Sequence, residues 1–148
     1  MASGAVFDAI RTYLDGGPLT PGTGAWQTIP IRWENEPLNP LPAAFVDVEM
    51  TGTAYDRQTI GAFTAAHVDN NRWDEEGVLW LHVLVKINTG GSIVRTYAKS
   101  LADLFRGKLL LGDSLEFKEA FIGRGQPGHE DGNYYRVSVY INWRRMNA

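Results

Sequence analysis

Cysteine is absent from the 148 residues, so neither a disulfide framework nor thiolate chemistry is open to this chain. Basic residues are in the minority, 14 Lys and Arg against 17 Asp and Glu, for a formal charge of −3. Gripping nucleic-acid phosphates takes clustered Lys and Arg, which this balance does not suggest, although such a surface can sit beside DNA without holding it. Long apolar runs are missing too. The longest is about ten residues, well short of the ~20 that span a bilayer. The opening Met-Ala-Ser-Gly lacks the charged and apolar segments of a signal peptide. The expectation is a soluble protein made or assembled in the cytoplasm, with no membrane partner. Its length points to one domain over residues 1–148, able to bury roughly 70% of its unfolded surface without a metal or cross-link.

What is present centres on Gly77 to Gly107. In Val78 to Ile87 the odd positions Leu79, Leu81, Val83, Val85 and Ile87 are all apolar, the period-two signature of a strand face against a core. The other face, Val78, Trp80, His82, Leu84 and Lys86, is partly wet, which suits the middle of a sheet. Asn88-Thr89-Gly90-Gly91 stops the strand. From Ser92 the period becomes helical: Ile93, Tyr97, Leu101, Leu104 and Phe105 recur, with Ala98 and Ala102 beside them. Ser92 or Thr89 is suited to cap this helix, and Gly107 to follow its last turn.

The remaining elements follow from the same signals. Residues 3 to 14 read as a helix capped by Ser3, with Val6, Phe7, Ile10, Tyr13 and Leu14 in one stripe, ended by Gly16-Gly17-Pro18. Six of the seven prolines lie between Pro18 and Pro42, so the strand expected at Ile29 to Glu34 is confined by Pro30 to an edge or a strand start. Phe45 to Met50 is a half-buried strand. Thr51 to Glu76 has no firm periodicity, and Asp69 to Glu76 reads as a polar loop or the tip of a protruding hairpin. Leu115 to Ile122 is a strand with Leu115, Phe117 and Phe121 on one side. Tyr134 to Arg144 closes the chain with the cleanest alternation: Tyr135, Val137, Val139, Ile141 and Trp143 in, the even positions out. The order describes an α+β domain, two helices packed on a mixed, mainly antiparallel sheet.

No residue pattern carries catalysis, a metal or a cofactor. Gly123-Arg-Gly-Gln-Pro-Gly128 has the spacing of a dinucleotide loop, but it leads into a strand, not into a helix whose N-terminus would hold pyrophosphate. Asn88 to Ser92 does join strand to helix, yet no Lys-Ser/Thr pair follows Gly91. His67, His82 and His129 are scattered without second ligands at metal spacing. His129-Glu130-Asp131 reads as solvated turn, and Asp69, Asn71 and Asp74 as half of a calcium loop that lacks its glycine and terminal glutamate. Contact residues are better candidates. Trp73 with Asp74, Glu75 and Glu76 forms either a contact tip or a tryptophan folded back on its own domain. Trp80, Leu84, Tyr134 and Tyr140 make an aromatic patch on the sheet's second face unless the helices and the proline-rich segment cover it. Arg124 and His129 in the glycine loop complete the candidate interface.

Taken in order, these stretches resemble the tail terminator proteins of long-tailed bacteriophages and gene transfer agents. The resemblance rests on Val6 to Leu14, then Ile31-Arg32-Trp33-Glu34-Asn35 before the proline-rich approach to Phe45-Val46-Asp47-Val48. It continues through the strand ending in Gly90-Gly91, the helix closing in Leu104-Phe105-Arg106-Gly107, and the final Tyr134-Tyr135-Arg136-Val137-Ser138-Val139. It implies a non-enzymatic virion protein that forms a hexameric ring on the last layer of the tail tube and stops its growth. The implied partners are other copies of itself, the tail tube protein and a head-side connector or stopper, with DNA passing through the hole unread. Asp69 to Glu76 matches nothing in that pattern. The alternatives are another neck or tail-tube component, or a small hydrolase or ligand-binding domain using His82, His129, Glu130 and Asp131.

Overall fold

The structure, a computed structural model, describes the chain apart from residues 1–2, Pro18, Pro21, Asn39, 58–72, 128–132 and 147–148; the side chains of residues 53–57, Trp73 and Pro127 are likewise outside the described set. The elements are α1 (Gly4–Asp15), β1 (Ile31–Arg32), β2 (Ala44–Arg57), β3 (Trp73–Lys86), α2 (Gly91–Phe105), β4 (Leu109–Leu110), β5 (Leu115–Ile122), β6 (Gln126–Pro127) and β7 (Tyr134–Met146). They build one seven-stranded sheet in the order β1-β2-β3-β7-β5-β4, with β6 paired to β7. Every pairing is antiparallel except β1 with β2. This is the expected α+β architecture.

Both helices lie on one face. The stripe of α1 buries Val6, Ile10 and Leu14 completely and that of α2 buries Val94, Ala98, Leu101, Ala102 and Phe105. They close over Val46, Val48 and Met50 of β2, Leu79 to Val85 of β3 at odd positions, and Val137 to Trp143 of β7 at odd positions. Each such side chain contributes about 1.5–3 kcal/mol on leaving water. The helices meet where Tyr13 packs edge-on against Phe105 at 5.5 Å and its hydroxyl donates to the Leu104 carbonyl. Burial raises that phenol above the ordinary tyrosine range.

Four local expectations are corrected. The α2 stripe is turned by one residue, so Val94 is buried and Ile93 is 38% exposed. Neither Ser92 nor Thr89 caps α2; Gly90, at φ 98°, holds the cap position, and the Thr89 hydroxyl bonds back to Lys86 O. Ser3 stands at the α1 cap, where its carbonyl accepts from Phe7 N but its side chain does not cap the helix; its hydroxyl and amide both go to Glu75. Finally, β3 does not start at Val78. It runs back through Asp74, Glu75 and Glu76, and β2 extends alongside it to Arg57, so residues 73–76 are strand and not loop tip.

One irregularity decides what the second face looks like. Phe117 pairs with Trp143, but Ala120 pairs with Ile141, so β5 spends three steps against two on β7. That bulge inverts the side-chain parity beyond it. Leu115 and Phe117 face the helices as expected, whereas Phe121 is delivered to the opposite face, beside Tyr140.

Candidate functional site

The face without helices is formed by the even positions of β3 and β7, the odd positions of β2 up to Glu49, and Phe121. It divides into three zones along the strands.

At one end the face is closed. Phe45, Leu84 and Tyr134 form a small second core, roofed by Leu38 and Leu41 from the proline-rich segment. Tyr134 is 2% exposed, packs edge-on against Phe45 at 5.4 Å and donates to the Pro42 carbonyl at 2.7 Å. Arg32 lies over the Phe45 ring and bonds Asp47, while Lys86 Nζ sits 4.9 Å above Tyr134. Tyr134 and Leu84 are therefore internal residues, not members of an open patch. The prolines explain why: Pro37, Pro40 and Pro42 carry no N–H that a sheet bond would have to satisfy, so Leu38 and Leu41 can lie over the face without their segment joining it.

At the other end lies a charged cluster. Asp74 is fully buried and accepts from Arg144 Nε at 2.8 Å and from its Nη2. Glu76 stands 3.9 Å from the same guanidinium. The Asp74 hydrogen bond, with Glu76 and Glu116 nearby, holds Arg144 more firmly protonated than a free guanidinium. Glu75, 1% exposed, points to the helix side and takes the Ser3 amide at 2.6 Å and the Ser3 hydroxyl at 2.9 Å. Asp74 and Glu75 are thus structural anchors and are withdrawn from any contact tip.

Between the two ends the face is bare and aromatic. Trp80, Tyr140 and Phe121 are direct cross-strand partners on β3, β7 and β5. Their rings stand 5.0 Å apart at each step, and Trp80 also stacks on His82 at 5.9 Å. Trp80 and Tyr140 are half-buried and Phe121 is 38% exposed. Aromatic cross-strand pairs stabilise a sheet by several tenths of a kcal/mol each, and a row of three gives a flat apolar surface.

Beside this row runs a polar chain. His82 Nδ1 is 2.7 Å from Ser138 Oγ, and His82 Nε2 is 3.0 Å from Glu49 Oε2. A carboxylate cannot donate, so Nε2 carries the proton and Nδ1 accepts from the serine in the neutral ring. The connectivity is that of a serine–histidine–acid relay. Acyl transfer also needs donors aimed at a developing oxyanion. Here the backbone around Ser138 is committed to the sheet: its residue pairs with His82, and its carbonyl accepts from Gly123.

The remaining candidates scatter. Arg124 is exposed between β5 and β6. His129, His67, the half calcium loop at Asp69 and Asn71, and the Trp73 side chain lie outside the described residues. Gln126-Pro127 runs as a two-residue strand beside β7, inside the stretch 123–132 that the sequence reads as loop. Among the described residues no three His, Asp or Glu side chains gather as metal ligands, and no helix is long and apolar enough to cross a membrane. Sequence reasoning missed Phe121, because alternation carries no sign of a bulge. It missed the Glu49–His82–Ser138 chain as well, though their common outward parity on three strands was a usable signal.

No family model matches the chain, and no curated protein matches it. A solved structure that carries no functional description is similar over nearly the whole length, 98% of this chain and 96% of that one, with a TM-score of 0.64 and 17% identity. At that identity the likeness concerns the fold alone: the same one-sided arrangement of sheet and helices is built by another protein.

Proposed function

We propose that this chain is a structural virion subunit of the tail-terminator type, whose copies form a ring, hexameric in that family, on the end of a tail tube. The ring stops tube growth and joins the tube to a head-side connector, with DNA passing through. The sequence resemblance supports this reading, and one structural observation carries it. The helices cover a single face of the sheet, and the Trp80–Tyr140–Phe121 row on the other face stays part-exposed between charged residues. An apolar centre with a polar rim is the anatomy of a protein contact. The test is mass by light scattering, with electron-microscope images, on the full chain alone and with tube ends added. Rings of about six subunits are expected, since a head-to-tail contact must close by rotation or run on. Trp80→Ser combined with Phe121→Ser should abolish assembly while costing about 1–2 kcal/mol of folding stability, the worth of the lost stacking. Monomers at every concentration with tube ends present, or a double variant that assembles normally, would sink the reading.

The Ser138–His82–Glu49 chain specifically favours a second reading, a small hydrolase. An activated serine would be labelled by a fluorophosphonate probe, and Ser138→Ala would remove the label. The expected outcome is no labelling in either protein, because the strand leaves no amide for the oxyanion.

A further inference from the structure

The aromatic row has a fourth member. Phe121 is level with Tyr140, Tyr140 with Trp80, and Trp80 with Glu49 on β2. A body that covers Trp80 and Tyr140 therefore lies against Glu49 too. That side chain is 58% exposed in the free subunit, so its carboxylate is largely hydrated there. Taking an unpaired carboxylate out of water is costly unless a partner neutralises it and satisfies its lone pairs. How firmly the row can be covered is thus set by what meets Glu49.

The charges on this face single out His82. Among the described residues, its imidazole is the one basic group at ion-pair distance from Glu49, with Nε2 3.0 Å from Oε2. The other charged groups that face His82 are already engaged. On β2 its cross-strand partner Asp47 is held by Arg32 of β1. On β7 it faces Ser138, with the Tyr140 phenol on one side and Arg136 on the other, and Arg136 lies against the side-chain amide of Gln126 on β6. On β3 its own neighbours on this face are Trp80 and Leu84, and Lys86 beyond them sits over Tyr134. While Nε2 alone carries a proton, His82 gives Glu49 a hydrogen bond but no charge. A second proton, on Nδ1, makes the two an ion pair, and the Ser138 hydroxyl at 2.7 Å can turn to accept it. Imidazole is the side chain that ordinarily gains its charge near neutral pH.

We propose that covering the aromatic row with the next copy takes up a proton at the Glu49–His82 pair, so that rings form more readily as the pH falls. The inference rests on the ring reading and gives that same surface a pH control. The sign follows from linkage. The assembled state holds more protons than the free subunits, and the state that holds more protons gains with acidity, by at most about tenfold per pH unit for each proton.

The test compares the full-length protein with Glu49→Gln and His82→Gln, by light scattering over a concentration series with tube ends present. It is run at about pH 6 and about pH 8, near the two ends of the usual imidazole range. Each glutamine can keep the hydrogen bond between positions 49 and 82, so all three proteins should fold, and denaturant melts at both pH values check this. His67 and His129 remain in both variants, and His82→Gln leaves the formal charge of −3 unaltered, so its residual slope with pH is the background. Beyond that background, the wild type should assemble at roughly tenfold lower concentration at the lower pH. His82→Gln should show the background alone and assemble weakly throughout. Glu49→Gln has no charge to neutralise. At the higher pH it should assemble as readily as the wild type does at the lower one. Rings from the wild type and from His82→Gln with equal slopes would overturn the proton uptake and leave the ring reading standing. So would a Glu49→Gln protein that assembles less readily than the wild type at the higher pH, because the carboxylate would then be met by a cation of the neighbouring copy. Absence of rings at both pH values would remove the ring reading and this inference with it.

Discussion

Gly77→Val should leave the protein unfolded, or destabilised by more than about 4 kcal/mol, a loss that only a few mechanisms produce. Gly77 lies on the helix-facing side of β3, opposite Gly52 on one neighbour and Trp143 on the other. A Cβ there would stand 2.1 Å from the Thr51 carbonyl oxygen and 2.4 Å from Cζ2 of Trp143. The first obstacle is backbone in the adjoining strand and cannot step aside. The second is the largest fully buried side chain of the core. Even Gly77→Ala should lower the melting temperature by about 10 °C, given roughly 2–4 °C per kcal/mol for a chain of this size. Trp143→Phe supplies the control. It opens the space over Gly77 and removes an indole N–H that is buried with no partner among the described residues, so it should cost less than an ordinary core truncation. In that background Gly77→Ala should be milder by about 1 kcal/mol or more, a coupling read from a double-mutant cycle. Wild-type melting of Gly77→Ala would show that the indole and β2 do not hold the places described.

Glu75→Ala should cost about 2–3 kcal/mol and release the start of α1. The carboxylate is buried and takes two hydrogen bonds from Ser3; bonds to a charged group contribute about 1.5–3 kcal/mol each before the cost of burying the charge is set against them. It also supplies the negative charge that the first turn of α1 lacks. Glu75→Gln separates these contributions. Its amide oxygen can accept from the Ser3 N–H and its NH₂ can donate to the hydroxyl, so only the charge–dipole part is lost, about 0.3–1 kcal/mol. Denaturant melts should order the proteins wild type, Gln, Ala. Hydrogen exchange should show the loss concentrated in residues 4–7. An alanine variant as stable as the wild type would mean that burying the charge costs as much as its two bonds return.

These residues also mark where sequence reasoning stops. The core is legible because hydrophobic periodicity is a local property. The Val6–Leu14 stripe, the odd positions of β3 and the alternation of β7 are each decided within a dozen residues by which side chains must leave water. Asp74, Glu75 and Glu76 read locally as solvent-exposed loop, and nothing nearby contradicts that. They belong to a strand because Arg144 and Ser3, about seventy positions away in sequence, neutralise and bond them.

By itself, then, the sequence determined the class of the fold, the two helical stripes, the glycine break after β3 and the bareness of cysteine chemistry. Only the tertiary structure decided which outward aromatics remain outward. Tyr134 and Leu84 vanish beneath Leu38 and Leu41, and Phe121 arrives through a one-residue bulge. A surface is what is left after every segment has found its cover. Whether a side chain is covered depends on chain brought from far away, which no local period records.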